Sequence, residues 1–251
     1  MNPARSLWQW FLRRLRARGY EVYKRPYLPK GADAFLSLTA HWPAWQPHMI
    51  FDVGANVGQT VGRLRLLFPA AQIVCFEPVP AAYARLQHFV AGDQLVRTHP
   101  LALSDAPGEA MIHLHGSIEQ CSITPALLAQ LDPAAPRLRV PLETLTGFCA
   151  RQGIARIDLL KIDVEGHELA VLRGAREMLA AGAIDFIVAE AGLTGDNARF
   201  APLHELAEFL RPYGFWPVGV YEQFGHRFQQ SAEFCNAAFV REKFLTASPP
   251  P

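Results

Sequence analysis

The chain lacks the marks of a membrane span, an oxidising compartment or a nucleic-acid partner. No apolar run approaches the roughly 20 residues that a bilayer crossing needs. Cysteine is sparse: Cys75, Cys121, Cys149 and Cys235 include no C-x-x-C pair and have no histidines at zinc spacing. They read as free thiols of a reducing compartment, which argues against structural zinc. Charge is nearly balanced, with 24 Lys and Arg against 23 Asp and Glu, a formal net charge of +1. That leaves no global electrostatic case for nucleic acid. Arginines interrupt the N-terminal segment, so the unbroken apolar core of a secretory signal is missing and a cytoplasmic location is expected. Two phosphate-binding signatures are also missing, the G-x-G-x-x-G turn and the Gly-Lys-Ser/Thr of a P-loop.

What the chain does have is Met49-Ile-Phe-Asp52-Val-Gly54-Ala-Asn56-Val-Gly58-Gln59-Thr60, followed by Val61, Leu64, Leu67 and Phe68 at helical spacing. This is the pattern of a buried parallel strand turning sharply into a helix. Gly54 and Gly58 permit positive φ and close backbone approach, and the helix start supplies free N–H groups at a positive dipole end. About 20 residues on, Ile73-Val-Cys-Phe76-Glu77-Pro78 ends a second apolar run in an acid, placed to hold a ribose diol. Pro78 fixes the loop that aims it. Asp52, immediately before the glycines, repels phosphate but suits a cation such as the amino-acid end of S-adenosylmethionine. A nucleoside cofactor without phosphate is therefore favoured over NAD.

Asp52–Gln59, Phe76-Glu77-Pro78 and Leu160-Lys161-Ile162-Asp163-Val164-Glu165-Gly166-His167-Glu168 together resemble the FkbM-type methyltransferases. The resemblance runs from about Gly31 to Phe244, with Ala189-Glu190 and Asn236–Val240 fitting its closing pattern. It implies a class I, Rossmann-like methyltransferase fold and S-adenosylmethionine as cofactor. It also implies an O-methyltransferase acting on sugars of bacterial surface glycans or on polyketide-type natural products. Many members carry an acid shortly before the terminal Phe-Val, where this chain has Asn236-Ala237.

At 251 residues, half of them hydrophobic, the chain can bury one sizeable core. The alternating pattern predicts strands near 49–54, 73–77, 94–99, 157–163, 185–190, 215–221 and 236–242. Helices are predicted near 33–39, 57–68, 80–91, 143–152, 167–181 and 201–213. The expected architecture is α/β, a mostly parallel seven-stranded sheet flanked by helices with an antiparallel last strand. Residues 108–116 and 137–141 read as an inserted hairpin. The methyltransferase domain is expected to span 31–245, after a lead-in at 1–30 and before a disordered tail at 246–251. Within the lead-in, Trp8, Phe11, Leu12 and Leu15 with five arginines predict an amphipathic helix over 3–18. That helix suits packing on the domain, a homodimer contact, or peripheral attachment to the inner face of an anionic membrane.

Ligands of open α/β sheets bind outside the carboxyl ends of the strands, which gathers Asp52, Glu77, Asp105, Asp163 and Glu190 on one rim. Asp52, Gly54, Asn56, Gly58, Gln59, Thr60, Glu77 and Pro78 are the candidate cofactor residues, with Asp163 shared between cofactor and catalysis. Ser104 and Asp105 sit where the resemblance implies a contact to the adenine amino group. Methyl transfer to an oxygen needs alignment, exclusion of water and removal of one proton. His167 could take that proton at neutral pH, and Asp163, Glu165 or Glu190 could do so with raised pKa values. Helix capping is the competing role for this group. Asp163 and Glu190 could hold a Mg²⁺, although a hard cation wants more oxygen ligands than these two supply. The aromatics Phe215, Trp216, Tyr221, Phe224 and Phe228 are expected mostly in the core, with some free to stack on a sugar ring. The acceptor is read as a hydroxyl of a small molecule or glycan. A cofactor-binding assembly protein without catalysis and an NAD-linked oxidoreductase are the alternatives.

Overall fold

The computed structural model describes residues 10–12, 14–15, 17–18, 22, 31–114, 121–122, 137–194, 199–225 and 232–245. The readings for residues 246–251, for Phe228 and for most of residues 1–30 lie outside these. Of the expected N-terminal helix, Trp10, Phe11 and Leu12 are helical, with Trp10 and Phe11 exposed.

Seven strands form the main sheet: β1 (Met49–Val53), β2 (Gln72–Phe76), β3 (Val96–His99), β8 (Ile157–Ile162), β9 (Ile184–Gly192), β10 (Phe215–Phe224) and β11 (Phe234–Arg241). Their spatial order is β10-β11-β9-β8-β1-β2-β3. All pairings are parallel except those of β11, which runs antiparallel to both β9 and β10. The expected fold class and its antiparallel last strand are thus what the chain adopts. Strands β1, β2, β8 and β9 are buried along nearly their whole length, and are mostly apolar, because both faces of a parallel sheet are covered.

Period-two alternation sends Phe51, Val53, Val74 and Phe76 to one face and Ile50, Ile73 and Cys75 to the other. The first face is covered by α4 (Leu145–Gln152), α5 (Glu168–Gly174), α6 (Arg176–Ala180) and α7 (Leu203–Leu210), which contribute Phe148, Val171, Leu179 and Leu206. The second takes α1 (Ala34–His41), α2 (Gln59–Leu67) and α3 (Pro80–Phe89), through Leu38, Leu64 and Leu86. Helix starts follow local chemistry: the Asp33 carboxylate accepts from Leu36 N at 2.8 Å, and the Thr144 hydroxyl from Gly147 N at 3.0 Å.

Three expectations change. The single helix predicted over 167–181 is two, because Ala175 is non-helical and Gly174 packs so closely on the Ser104 carbonyl that a Cβ would lie 2.0 Å from its oxygen. The inserted hairpin, β5 (Gly108–Leu114) against β7 (Arg137–Glu143), grows into a four-stranded sheet with β4 (Ala102–Leu103) and β6 (Cys121–Ser122). Among the C-terminal aromatics, Phe215 and Tyr221 are buried as expected, whereas Trp216 and Phe224 are exposed.

Candidate functional site

A cavity of about 280 Å³ opens at the carboxyl ends of β1, β2 and β8, where the second sheet overhangs them. It is lined by Gly54, Ala55, Asn56, Gln59 and Thr60 from the β1–α2 turn, Glu77, Pro78 and Val79 after β2, and Leu101, Leu103 and Ile112. Lys161, Asp163, Val164, Glu165 and His167, at and after the end of β8, complete the lining.

The glycine turn has a specific internal reason. Gly54 has φ +80°, and a Cβ there would stand 1.8 Å from the carbonyl oxygen of Asp163. Gly58, with φ +98°, leaves room for the Phe89 ring, which a Cβ would meet at 2.6 Å. Gly54 thus seats the β1 turn on the β8 loop, and Gly58 seats the start of α2 on α3. Asn56 (φ +48°) carries a buried side-chain oxygen without a hydrogen-bond partner. Glu77 is buried on the wall. One oxygen accepts from Asn56 N at 2.9 Å and the other from Val79 N at 2.8 Å. Burial raises its pKa against these hydrogen bonds.

Asp52 lies beneath the wall. It is fully buried, is not among the residues lining the cavity, and pairs in register with Lys161 across β1 and β8. The Lys161 ammonium stands 3.0 Å from Asp52 Oδ1 and 3.4 Å from Asp163 Oδ2, and donates to Gly54 O at 3.1 Å. Burial works against the ammonium, but the two carboxylates outweigh it and hold its pKa above the ordinary lysine value. For Asp52, burial pushes the pKa up and the ammonium opposes it. One cation thus ties together the ends of two strands and the glycine turn. In the sequence Lys161 stands out only as the one cation of an otherwise mostly apolar strand end, two residues before Asp163.

The segment after β8 is held by Glu168, which is completely buried. One carboxylate oxygen accepts from Val164 N and Gly166 N, each at 3.1 Å, and the other from Ala201 N at 3.2 Å. Burial pushes its pKa up to about 7. Glu165, left-handed at φ +54°, is gripped by Arg199 Nε at 3.0 Å and Nη2 at 2.7 Å. Nothing local in the sequence distinguishes Arg199. His167 Nε2 lies 2.9 Å from Ser104 Oγ, which donates to Asp105 Oδ1 at 3.2 Å. Burial lowers the His167 pKa against the pull of Asp105, so the imidazole is neutral at pH 7. Ser104 and Asp105 are absent from the cavity lining and meet His167 instead. Glu190 also lies off the lining, beside Asp163 on the neighbouring strand. Burial, then the charges of Asp163, Glu165 and Glu168, push its pKa up to about 10, and its Oε2 is buried without a hydrogen-bond partner. Among the described residues no group of three or more His, Cys, Asp or Glu is placed to hold a metal ion, so the Asp163–Glu190 pair expected for Mg²⁺ has no further ligand of these types.

Residues 52–217 match the family model described as the methyltransferase FkbM domain. The 2-O-methyltransferase NoeI of Sinorhizobium fredii is 32% identical over 143 residues, 52% of this chain and 58% of that protein. The 31-O-demethyl-FK506 methyltransferase FkbM of Streptomyces tacrolimicus is 30% identical over 156 residues, 51% of this chain and 60% of that protein. The chain thus spans under two thirds of the length of these relatives. Among solved structures, the methyltransferase FkbM from Methylobacillus flagellatus superposes with a TM-score of 0.52 at 14% identity, covering 77% of this chain and 43% of that one. That likeness is one of fold.

Proposed function

The chain belongs to the FkbM-type methyltransferase family, and on that premise we propose that it is an S-adenosylmethionine-dependent O-methyltransferase acting on a hydroxyl of a small molecule, glycan or natural product. The observation that carries this reading is a single cavity that joins Asn56, Glu77, Val79, Leu103 and Ile112 with the acids Asp163 and Glu165. The donor set fits the cofactor. The unpartnered Asn56 oxygen and the Glu77 carboxylate accept hydrogen bonds from a ribose, and apolar Val79, Leu103 and Ile112 flank a base. Asp163, partly exposed, is the acid open to an ammonium or sulfonium.

Bound there, S-adenosylmethionine supplies a methyl on a cationic sulfur; the acceptor oxygen takes it as the carbon–sulfur electron pair returns to sulfur and the hydroxyl proton leaves. His167 is assigned as the proton acceptor. Ser104 commits its single O–H to Asp105, so His167 Nε2–H donates to Ser104 Oγ and Nδ1 is left as the basic nitrogen. Asp52 acts through Lys161, as the buried counter-charge that fixes the ends of β1 and β8. Glu190 is assigned as a neutral acid that supports Asp163 rather than as a base or a metal ligand.

Calorimetry with S-adenosylhomocysteine and with NADH, followed by a labelled-methyl screen over sugar nucleotides and cell-envelope extracts, tests the reading. Binding of S-adenosylhomocysteine and methyl transfer to a hydroxyl are expected. Binding of NADH alone would overturn the assignment, and donor binding without transfer to any acceptor would favour a non-catalytic role.

A further inference from the structure

The first turn of α2 lines the cavity without a cap of its own. Gln59 and Thr60 face the cavity, yet Gly58 at the helix start has no side chain to bind the free N–H groups. Whatever fixes that turn acts from further along the helix. Val61 and Leu64 are buried in the core beneath, and two arginines reach out on opposite sides. Arg65 Nε donates to Asp93 Oδ2 at 2.8 Å, and its Nη1 donates to the carbonyl oxygens of Pro69 and Ala71, beyond the C-terminal end of the helix. Arg63 is placed differently. It lies one turn after Gln59 and Thr60, on their side of the helix.

The Arg63 guanidinium joins parts of the chain that are far apart in sequence. Its Nη2 donates to Asp33 Oδ2 and, at 2.8 Å, to Glu222 Oε1, and the guanidinium carbon lies 5.4 Å from the centre of the buried Phe35 ring. The other oxygen of Asp33 caps α1. Glu222 stands at a break in the β10–β11 register, left-handed at φ +45°, with its N–H donating to Gly31 O at 2.7 Å. Its second oxygen accepts from Asn236 Nδ2 at 2.7 Å. Asn236 is opposite Glu190 in the β11–β9 pairing, and Glu190 is beside Asp163 of the cavity. Among the described residues, Asn56, Glu165 and Glu222 are the non-glycine positions with positive φ, and the first two line the cavity. Such a conformation persists where surrounding contacts demand it. At Glu222 those contacts are Arg63, Asn236 and Gly31.

We propose that Arg63 is a positioning residue for the methyl donor: held between Asp33 and Glu222, it fixes the first turn of α2 relative to the strand ends that carry Asp163. The inference rests on the methyltransferase reading and deepens it. Arg63 is not among the residues lining the cavity, so it acts through Gln59 and Thr60. The charges suit that role. A lone guanidinium one turn from Thr60 would repel a cationic donor, whereas two carboxylates against it leave the trio net negative. The Arg63 side chain is 45% exposed, and ion pairs open to water add little to global stability. Its worth lies in where it holds the helix.

The test is calorimetry with S-adenosylhomocysteine on the full chain, paired with thermal unfolding of each variant. Arg63→Met is expected to weaken binding by about 10-fold, on the scale of one hydrogen bond to a charged group. Arg63→Lys, which keeps the charge, should recover most of that loss. Glu222→Gln keeps the shape of its side chain and should weaken binding by about 3-fold. Arg65→Met cuts the anchor on the other side of the same helix. It should lower the melting temperature at least as much as Arg63→Met while leaving affinity within about 2-fold of wild type. Unchanged affinity in Arg63→Met would overturn the assignment. Equal losses of affinity in Arg63→Met and Arg65→Met would also overturn it, because general loosening of α2 would then account for both. Should Arg63→Met not fold, Glu222→Gln decides the matter, and full affinity in that variant counts against the proposal. Failure of the wild-type chain to bind S-adenosylhomocysteine is a separate result, which would defeat the methyltransferase reading itself.

Discussion

At the scale of single residues, a charge buried in an apolar strand is costly unless it is paired, and Lys161 is paired with acids on both sides. Removing one member of such a pair strands the other. Lys161→Met leaves Asp52 fully buried without its counter-charge, and is expected to cost about 3–5 kcal/mol in urea unfolding at neutral pH. Asp52→Asn with Lys161→Met removes both charges and should recover most of that loss. Equal losses in the single and double variants would show that the pair does not couple. His167 tests differently, because it touches the acceptor side alone in the proposed mechanism. His167→Ala is expected to leave S-adenosylhomocysteine affinity unchanged and to slow methyl transfer by about 10²- to 10⁴-fold, the usual worth of a positioned base. Its burial lowers its pKa, so wild-type turnover should rise with pH only below the ordinary histidine value and be flat through neutrality. Normal turnover in the variant would return the proton to Asp163 or Glu165.

The turns carry the site at the scale of elements, and Gly54 is the one with least freedom. Any side chain there meets the Asp163 carbonyl and also opposes a positive φ. Gly54→Ala is expected to push the β1 turn off the β8 loop, and calorimetry should show S-adenosylhomocysteine binding lost while circular dichroism keeps its helix content. Retained binding would mean that the loops part without harm to the cavity. The strand before Gly54, the helix after Gly58 and the acid at Glu77 were legible because each is written in adjacent residues. Other features were not. Asp52 faces Lys161 only because β1 and β8 pair in a register that places 52 opposite 161, and no local pattern sets that register. Arg199 reaches Glu165 across 34 positions of chain. The break at Ala175 answers to the Ser104 backbone packed on Gly174, a contact between elements far apart in sequence. Short-range chemistry was readable, and the contacts that turn it into a site came from tertiary packing.

For the whole molecule, the rim concentrates acids away from water, and that sets how stability depends on pH. Burial raises the pKa values of Asp52, Glu77, Glu165, Glu168 and Glu190, so the native state holds protons that the unfolded chain would release. The sign follows from linkage. An acid with a raised native pKa contributes stability that is complete below its unfolded value, and that contribution is lost as pH rises through the native value. For Glu168 the window runs from its ordinary 4.5 to about 7. Glu168→Gln removes this proton while keeping the shape of the side chain. The stability difference between wild type and variant, taken from urea unfolding at several pH values, should change in the variant's favour by about 1.4 kcal/mol per pH unit across most of that window. Above pH 7 it should level off. Glu168 also anchors Val164, Gly166 and Ala201, so the variant is expected to be the less stable protein at mildly acid pH, where wild type still holds its proton. A difference that stays constant from pH 4.5 to 8 would mean that Glu168 does not change its charge in that range, and that its three N–H partners keep it ionised in spite of burial.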